Sequence, residues 1–304
     1  MTADSIPEFA RPTRILRPGE NFRWPGGKRI AVIFNIAFEA WSDGVAPPIG
    51  PMGNVLKPGY FDTNAHSWAS FGINKGIHRL ARVAKNNDVR TSIMVNGVVA
   101  ERAPETVREL TDEGHDVYAH SWGMDILPVY LDEAGERANL ERNTTIMTEV
   151  MGERPVGWIS PRATGSLITP ALLAEAGYIW HGDCNDDDLP AIAEYPDANG
   201  GVRSIVQIPL TMEVNDLPHS IRYGNAPADL AVHFEDILEG SAEADPDTPF
   251  ILDVTAHTHV FGRSGGAAAF HEMMGIAREA GDVWIATRRE IADYVLDNAE
   301  EMFE

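Results

Sequence analysis

The 304-residue chain contains one cysteine, Cys184, and lysine only at Lys28, Lys57, Lys75 and Lys85. A single cysteine excludes an intramolecular disulfide and a cysteine-based zinc cluster. No spacing or partner marks Cys184 as a nucleophile, so it reads as a small buried thiol. Cations are scarce: 24 Lys and Arg against 46 Asp and Glu leave a net charge of −22. That balance argues against nucleic acid and anionic membranes as partners, because both need clustered positive charge. It also disfavours a polyanionic polymer as substrate, and the acidity itself is read as a property of composition. No apolar run approaches the roughly 20 residues needed to span a bilayer. The N-terminus lacks a basic stretch followed by an apolar one, so no secretory signal is visible and a cytoplasmic location is expected. A phosphate-binding loop is missing too, since Gly262-Arg263-Ser264-Gly265-Gly266 lacks the required glycine or Lys-Ser/Thr pattern.

What is present is the patterning of one sizeable globular domain, with 44% hydrophobic residues. Residues 1–28, with Pro7, Pro12, Pro18 and Pro25 and little periodicity, read as an arm that packs on the surface or against a neighbouring subunit. Residues 29–304 read as a single domain. Ile30 to Ile36 is nearly all apolar, the mark of a strand buried on both faces. Trp41 to Trp68 is a long Gly- and Pro-rich loop, a length usually reserved for functional covers. Strand and helix patterns then alternate. Strands are expected near 91–95, 116–120, 157–160, 178–182, 204–210, 250–257 and 283–287. Helices are expected near 74–86, 104–113, 132–151, 169–177, 227–238, 267–280 and 288–298. Such alternation implies parallel pairing with right-handed crossovers, and hence an α/β fold, a distorted (β/α) barrel of about seven parallel strands.

In such a scaffold the chemistry sits at the C-terminal ends of the strands. Three strands end in polar groups there: the first at Glu39, another at His120, and the one from Phe250 at His257 and His259. Arg162 and Arg263 lie close in sequence to two strand ends. A carboxylate with imidazoles can activate water, as metal ligands or as a general acid/base pair.

The motifs in order resemble the polysaccharide deacetylase superfamily (carbohydrate esterase family 4). Gly114-His115-Asp116-Val117-Tyr118-Ala119-His120 resembles its Gly-His-Glu-Ile-x-x-His segment. Three further stretches resemble one branch, which holds cofactor-independent allantoinases, cyclic imide hydrolases and a peptidoglycan-deacetylase-like protein. These are Gly157 through Ser160-Pro161-Arg162-Ala163-Thr164 to Asp186-Asp187-Asp188-Leu189-Pro190, then His257-Thr258-His259-Val260-Phe261-Gly262-Arg263, then Val283-Trp284-Ile285-Ala286. The likeness covers roughly Arg17 to Asn298 and implies a hydrolase of non-peptide C–N bonds. Metal-dependent members carry two Asp residues after the first strand and a His-x-x-x-His pair. Here Ala37 stands at the base position, Glu39 at the ligand position, and Met124 at the second histidine. A thioether suits a hard divalent ion poorly.

The resemblance therefore implies catalysis by Glu39, His120 and His257 without a cofactor, with His257 taking a proton from water and returning it to the departing nitrogen. It implies substrate contacts from Trp122, Arg162, Asp187, His259 and Arg263. The oxyanion would be held by Arg162, Arg263 or backbone N–H groups near Ser160. A divalent ion such as zinc, if one binds, would take Glu39, His120 and His259. The expected substrate is a small cyclic amide, ureide or imide, with the Trp41 to Trp68 loop closing over it. Two alternatives stay open: a metal-dependent N-deacetylase of an acetylated sugar, and a non-catalytic binding protein on a decayed scaffold. The arm and the branch also imply a homo-oligomer.

Overall fold

The computed structural model describes residues 6–53, 56–197 and 199–304; the first five residues of the arm and residues 54–55 of the long loop lie outside these. The strands, in chain order, are β1 (Arg14–Leu16), β2 (Ile30–Phe38), β3 (Ser92–Val95), β4 (Asp116–Ala119), β5 (Gly157–Trp158) and β6 (Trp180–His181). They continue with β7 (Ala191–Pro196), β8 (Val202–Gln207), β9 (Val214–Asn215), β10 (Phe250–His257) and β11 (Val283–Ile285). One sheet runs in the order β1-β7-β8-β6-β5-β4-β3-β2-β10-β9, with β11 also on β2. From β9 through β10, β2, β3, β4, β5 and β6 to β8 every pairing is parallel. The α/β class and the mostly parallel sheet agree with the sequence pattern. No ladder among the described residues joins the two ends of the path, so the barrel is not closed by strand pairing. No helix among the described residues is long and apolar enough to cross a membrane.

β2 organises the rest. All nine of its residues are buried, as a continuous apolar run requires. Ile30, Val32, Phe34, Ile36 and Phe38 point one way, into a core shared with the surrounding helices. Ala31, Ile33 and Ala37 alternate to the other side and join Met94, Tyr118, Ile159 and Trp180 inside the sheet's curve. One edge of β2 pairs with β10 along its length, while β11 takes Ile30–Val32 and β3 takes Asn35–Phe38 of the other. Two strands on one edge are possible because each occupies half of it.

The interior is not wholly apolar. Asn35 of β2 and Asp253 of β10 meet Arg288, and the Arg288–Asp253 pair (2.6 Å) is fully buried. The guanidinium also donates to the carbonyls of Ile208 and Pro209, and Thr211 N–H donates to Asp253. Satisfied in this way, the pair ties the start of the last long helix (Arg288–Asp297) to the strands beneath the site.

Three strands, β1, β7 and the two-residue β9, lay outside the expected pattern. β7 runs antiparallel to β8, and β1 pairs antiparallel with β7. The arm is thus part of the sheet over residues 14–16. It then binds the other end of the chain, with Arg17 N–H on the Glu304 carbonyl and Gly19 N–H on that of Met302. The helix expected from Asn74 instead starts at Thr63, capped by the Asp62 carboxylate on two N–H groups. It widens into a π-turn over Gly72–Gly76 before continuing as Ile77–Asn86.

Candidate active site

Glu39 follows the last residue of β2, His120 the last of β4, and His257 closes β10. All three meet. Glu39 Oε1 lies 3.4 Å from His120 Nε2 and 3.6 Å from His257 Nε2. The three side chains are buried, and His259 with them. The ring of His259 stands edge-on to that of Trp68 at 4.5 Å and is flanked by Trp41 at 5.9 Å. Trp41 and Trp68, the two ends of that segment, both touch the His259 ring, and its last residues, from Thr63, are helical. Beside Glu39 is a cavity of about 20 Å³, room for roughly one water molecule.

Backbone anchors aim these groups. Ala40 N–H donates to Asn96 Oδ1 at 3.0 Å, Asn96 Nδ2 donates to the His120 carbonyl, and Met124 N–H reaches the Ala40 carbonyl. Asn96 thus ties the two strand ends that carry Glu39 and His120. His120 Nδ1 donates to the Ile159 carbonyl at 2.5 Å, which turns Nε2 toward Glu39. The next residue, Ser121, has a left-handed backbone (φ 61°), held by the Asn139 amide on its hydroxyl and the Asn143 amide on its carbonyl. Asp216, after β9, accepts from His257 Nδ1 at 2.6 Å and from the His257 backbone N–H at 2.8 Å. Thr258 sits in a seat of glycines. A Cβ on Gly76 or on Gly262 would lie 1.9 Å from the Thr258 carbonyl oxygen, and one on Gly72 2.5 Å from its hydroxyl. The π-turn exists at this contact, and the missing side chains let the helix touch the histidine turn.

Charge follows from this packing. Burial works against a charged His257, but the Glu39 and Asp216 carboxylates outweigh it and lift the imidazole to about 9. Burial likewise opposes a charged Glu39, and the His257 charge and the His120 contact outweigh it, holding the carboxyl down to about 2. His259, buried next to charged His257, falls to about 3 and is neutral. At neutral pH the cluster therefore holds a carboxylate touching an imidazolium, with a second imidazole beside them.

The remaining expected site residues separate. Arg263 is exposed beside the site, its guanidinium 4.2 Å over the Phe71 ring. Trp122 does not face the cluster; its ring packs under the Arg142 guanidinium at 3.2 Å and against the start of the helix at Gly97. Asp187 pairs with Arg17 of the arm and caps the N–H groups of Asp188 and Leu189, so it fastens a surface turn. Arg162 is exposed in a turn with left-handed backbone (φ 61°) and makes no ion pair among the described residues. Of the backbone N–H groups near Ser160 expected as one option for the oxyanion, that of Ser160 itself is already given to Asp183 at 2.6 Å. Burial lifts the Cys184 thiol to about 12, against a nucleophilic role. Asp216, Asn96 and Asp183 were not singled out from the sequence. Asp216 follows a strand of two residues, too short for a periodic signal, although a carboxylate just past a strand end was the available clue.

The donor set does not suit the divalent ion that the resemblance allows. Among the described residues no group of three His, Cys, Asp or Glu is arranged to hold one. The third position of the metal-binding pattern is Met124, a neutral thioether, and His259, the expected replacement, is packed edge-on against Trp68 and flanked by Trp41. No step is drawn through a metal.

Comparison with known proteins adds an independent finding. Residues 61–179 match the family model "Polysaccharide deacetylase", a span that includes His120 but neither Glu39 nor His257. A probable polysaccharide deacetylase of known structure from Pseudomonas aeruginosa superposes with a TM-score of 0.79 at 26% identity, over 94% of this chain and 95% of that one. PuuE allantoinase superposes with a TM-score of 0.78, also at 26% identity and over the same shares of the two chains. A putative polysaccharide deacetylase of Schizosaccharomyces pombe is 22% identical over 91% of this chain and 93% of its own.

Proposed function

We propose that this member of the polysaccharide deacetylase superfamily, a hydrolase of amide C–N bonds, opens a small cyclic amide, ureide or imide by acid/base activation of water. The observation that carries this reading is the convergence of two imidazole Nε2 atoms on one oxygen of Glu39, a carboxylate that also borders a space with room for about one water. The buried site speaks for a small substrate, since a polymer needs an open groove. The match to an allantoinase over nearly the whole chain supports the same class.

In this reading His257 enters the cycle protonated, so its first act is to give a proton rather than to take one. Asp216 holds Nδ1 and directs the Nε2 proton toward the departing nitrogen. His120, whose Nδ1 is committed to the Ile159 carbonyl, offers its Nε2 lone pair to the attacking water. Glu39 orients that water and stabilises the charge that His120 acquires. Each positioned acid or base contributes about 10²- to 10⁴-fold to such a reaction.

The test is a panel of hydantoins, ureides, cyclic imides and N-acetyl sugars, assayed with the wild type and His257→Ala. Ring opening of a cyclic member, lost in the variant with the fold intact, is the expected result. Turnover of N-acetyl sugars alone, dependent on added zinc, would overturn it in favour of a deacetylase. Near-wild-type rates in His257→Ala would remove His257 from its role.

A further inference from the structure

Next to the buried cluster lies a second space, far larger than the one at Glu39. This cavity of about 650 Å³ is bounded by Trp68, Phe71, Val260, Phe261, Ser220 and Arg263. Its volume falls in the range of small-molecule pockets, whereas that at Glu39 holds no organic substrate. The large cavity adjoins the cluster: Trp68 lines it and also stands against His259 at 4.5 Å.

The polar groups of this cavity share one preference. The Arg263 guanidinium lies flat over Phe71 at 4.2 Å, and no carboxylate within 4.0 Å pairs with it among the described residues. Gly265 and Gly266, on the same wall, belong to the first turn of the helix Ser264–Glu279. First-turn N–H groups have no acceptor within their helix and favour an anion. Ser220, also on the wall, has a buried hydroxyl with no hydrogen-bond partner. A planar fork, a row of N–H donors and a hydroxyl make a receptor for a carboxylate.

We infer that the substrate of this enzyme is an anionic amide, whose carboxylate docks on Arg263 and the first turn of the following helix. The amide group then reaches Glu39 and His257 past Trp68. This rests on the amide-hydrolase reading above and narrows its substrate. The apolar faces of Phe71, Val260 and Phe261 take the carbon skeleton, and Arg263 selects for charge at the end remote from the bond that breaks.

The experiment compares matched pairs, hydantoin with hydantoin-5-acetate and succinimide with a carboxylated succinimide. Wild type, Arg263→Gln and Arg263→Lys are each followed by steady-state kinetics and by calorimetric binding of the carboxylated compound. Wild type is expected to favour the carboxylated member of a pair in kcat/KM by about tenfold or more. In Arg263→Gln that ratio collapses through KM, with kcat little changed, and Arg263→Lys recovers part of it. An equal loss on charged and neutral partners, or a wild-type preference for the neutral one, overturns the inference. If the carboxylated compounds bind in an Arg263-dependent way but are not hydrolysed, the anion pocket stands and the hydrolase reading falls. If neutral rings turn over well and carboxylated ones neither bind nor react, the reverse holds.

Discussion

Asp216 grips His257 with both carboxylate oxygens, one on Nδ1 at 2.6 Å and the other on the backbone N–H at 2.8 Å. The second oxygen also accepts from Phe261 N–H at 3.1 Å, so the carboxylate spans the turn that follows β10. A side chain so committed fixes tautomer, ring orientation and backbone together. Asp216→Asn keeps the shape but removes the charge that favours an imidazolium. Turnover should fall by about 10²- to 10⁴-fold with KM little altered. Steady-state kinetics together with circular dichroism would show whether the loss is chemical rather than structural.

The alkaline limb of the rate profile should report His257. Its proton, held to about 9 by Glu39 and Asp216, is present at neutral pH and leaves as pH rises through that value. Glu39→Gln deletes one of the two counter-charges, so the limb should move toward lower pH, and a limb that stays put would remove Glu39 as the cause. The same groups bear on stability with opposite signs. His257 is raised from its ordinary 6.5, so its contribution is complete below about 6.5 and vanishes as pH climbs through about 9. Glu39 is lowered from 4.5, so its contribution is present above about 4.5 and is lost as pH falls toward about 2. Melting temperature measured against pH should decline at both ends.

Chelation is expected to leave turnover unchanged, because Met124 occupies the third ligand position and His257 is engaged with Asp216. Dialysis against a chelator, elemental analysis of the protein and readdition of zinc check this directly. Stoichiometric zinc with activity that follows it would transfer the site to the metal-dependent class.

The buried Arg288–Asp253 pair sets up a double-mutant cycle. Asp253→Leu alone leaves a guanidinium without its counter-charge inside the sheet, at a cost of about 3–5 kcal/mol. Asp253→Leu with Arg288→Met should recover much of that loss, since the unpaired charge is gone. Urea denaturation of the two singles and the double resolves the coupling.

At the glycine seat, Gly76→Ala places a methyl 1.9 Å from the Thr258 carbonyl oxygen. Overpacking of this kind costs about 1–3 kcal/mol, and the displaced turn carries both His257 and His259. Activity should therefore fall further than stability, as thermal melts and rate measurements on one preparation would show.

Much of this was legible in the chain. β2 reads as a buried strand because every residue of Ile30–Phe38 is in fact covered on both faces. Glu39, His120 and His257 could be grouped because parallel strands deliver their last residues to one rim. The rest depends on contacts that no local pattern encodes. β9 is two residues long, so Asp216 carried no periodic signal, and its value lies in a partner 41 positions away. β1 and β7 are antiparallel additions whose partners the βα alternation does not specify. Trp122 and Asp187 lie in motif-like stretches, yet Arg142 and Arg17 claim them. The direction in which His257 first moves its proton depends on two carboxylates meeting one ring, which only the folded arrangement reveals.

Thr258 is lodged between Gly72 and Gly76 on one side and Gly262 on the other, while Trp68, one turn before that π-widened segment, leans on His259. Cover and proton donor therefore share a joint. If His257 is the acid of the proposed reaction, displacing Trp68 would strain the peptide that aims it, and proton delivery would be tied to the packing of the cover.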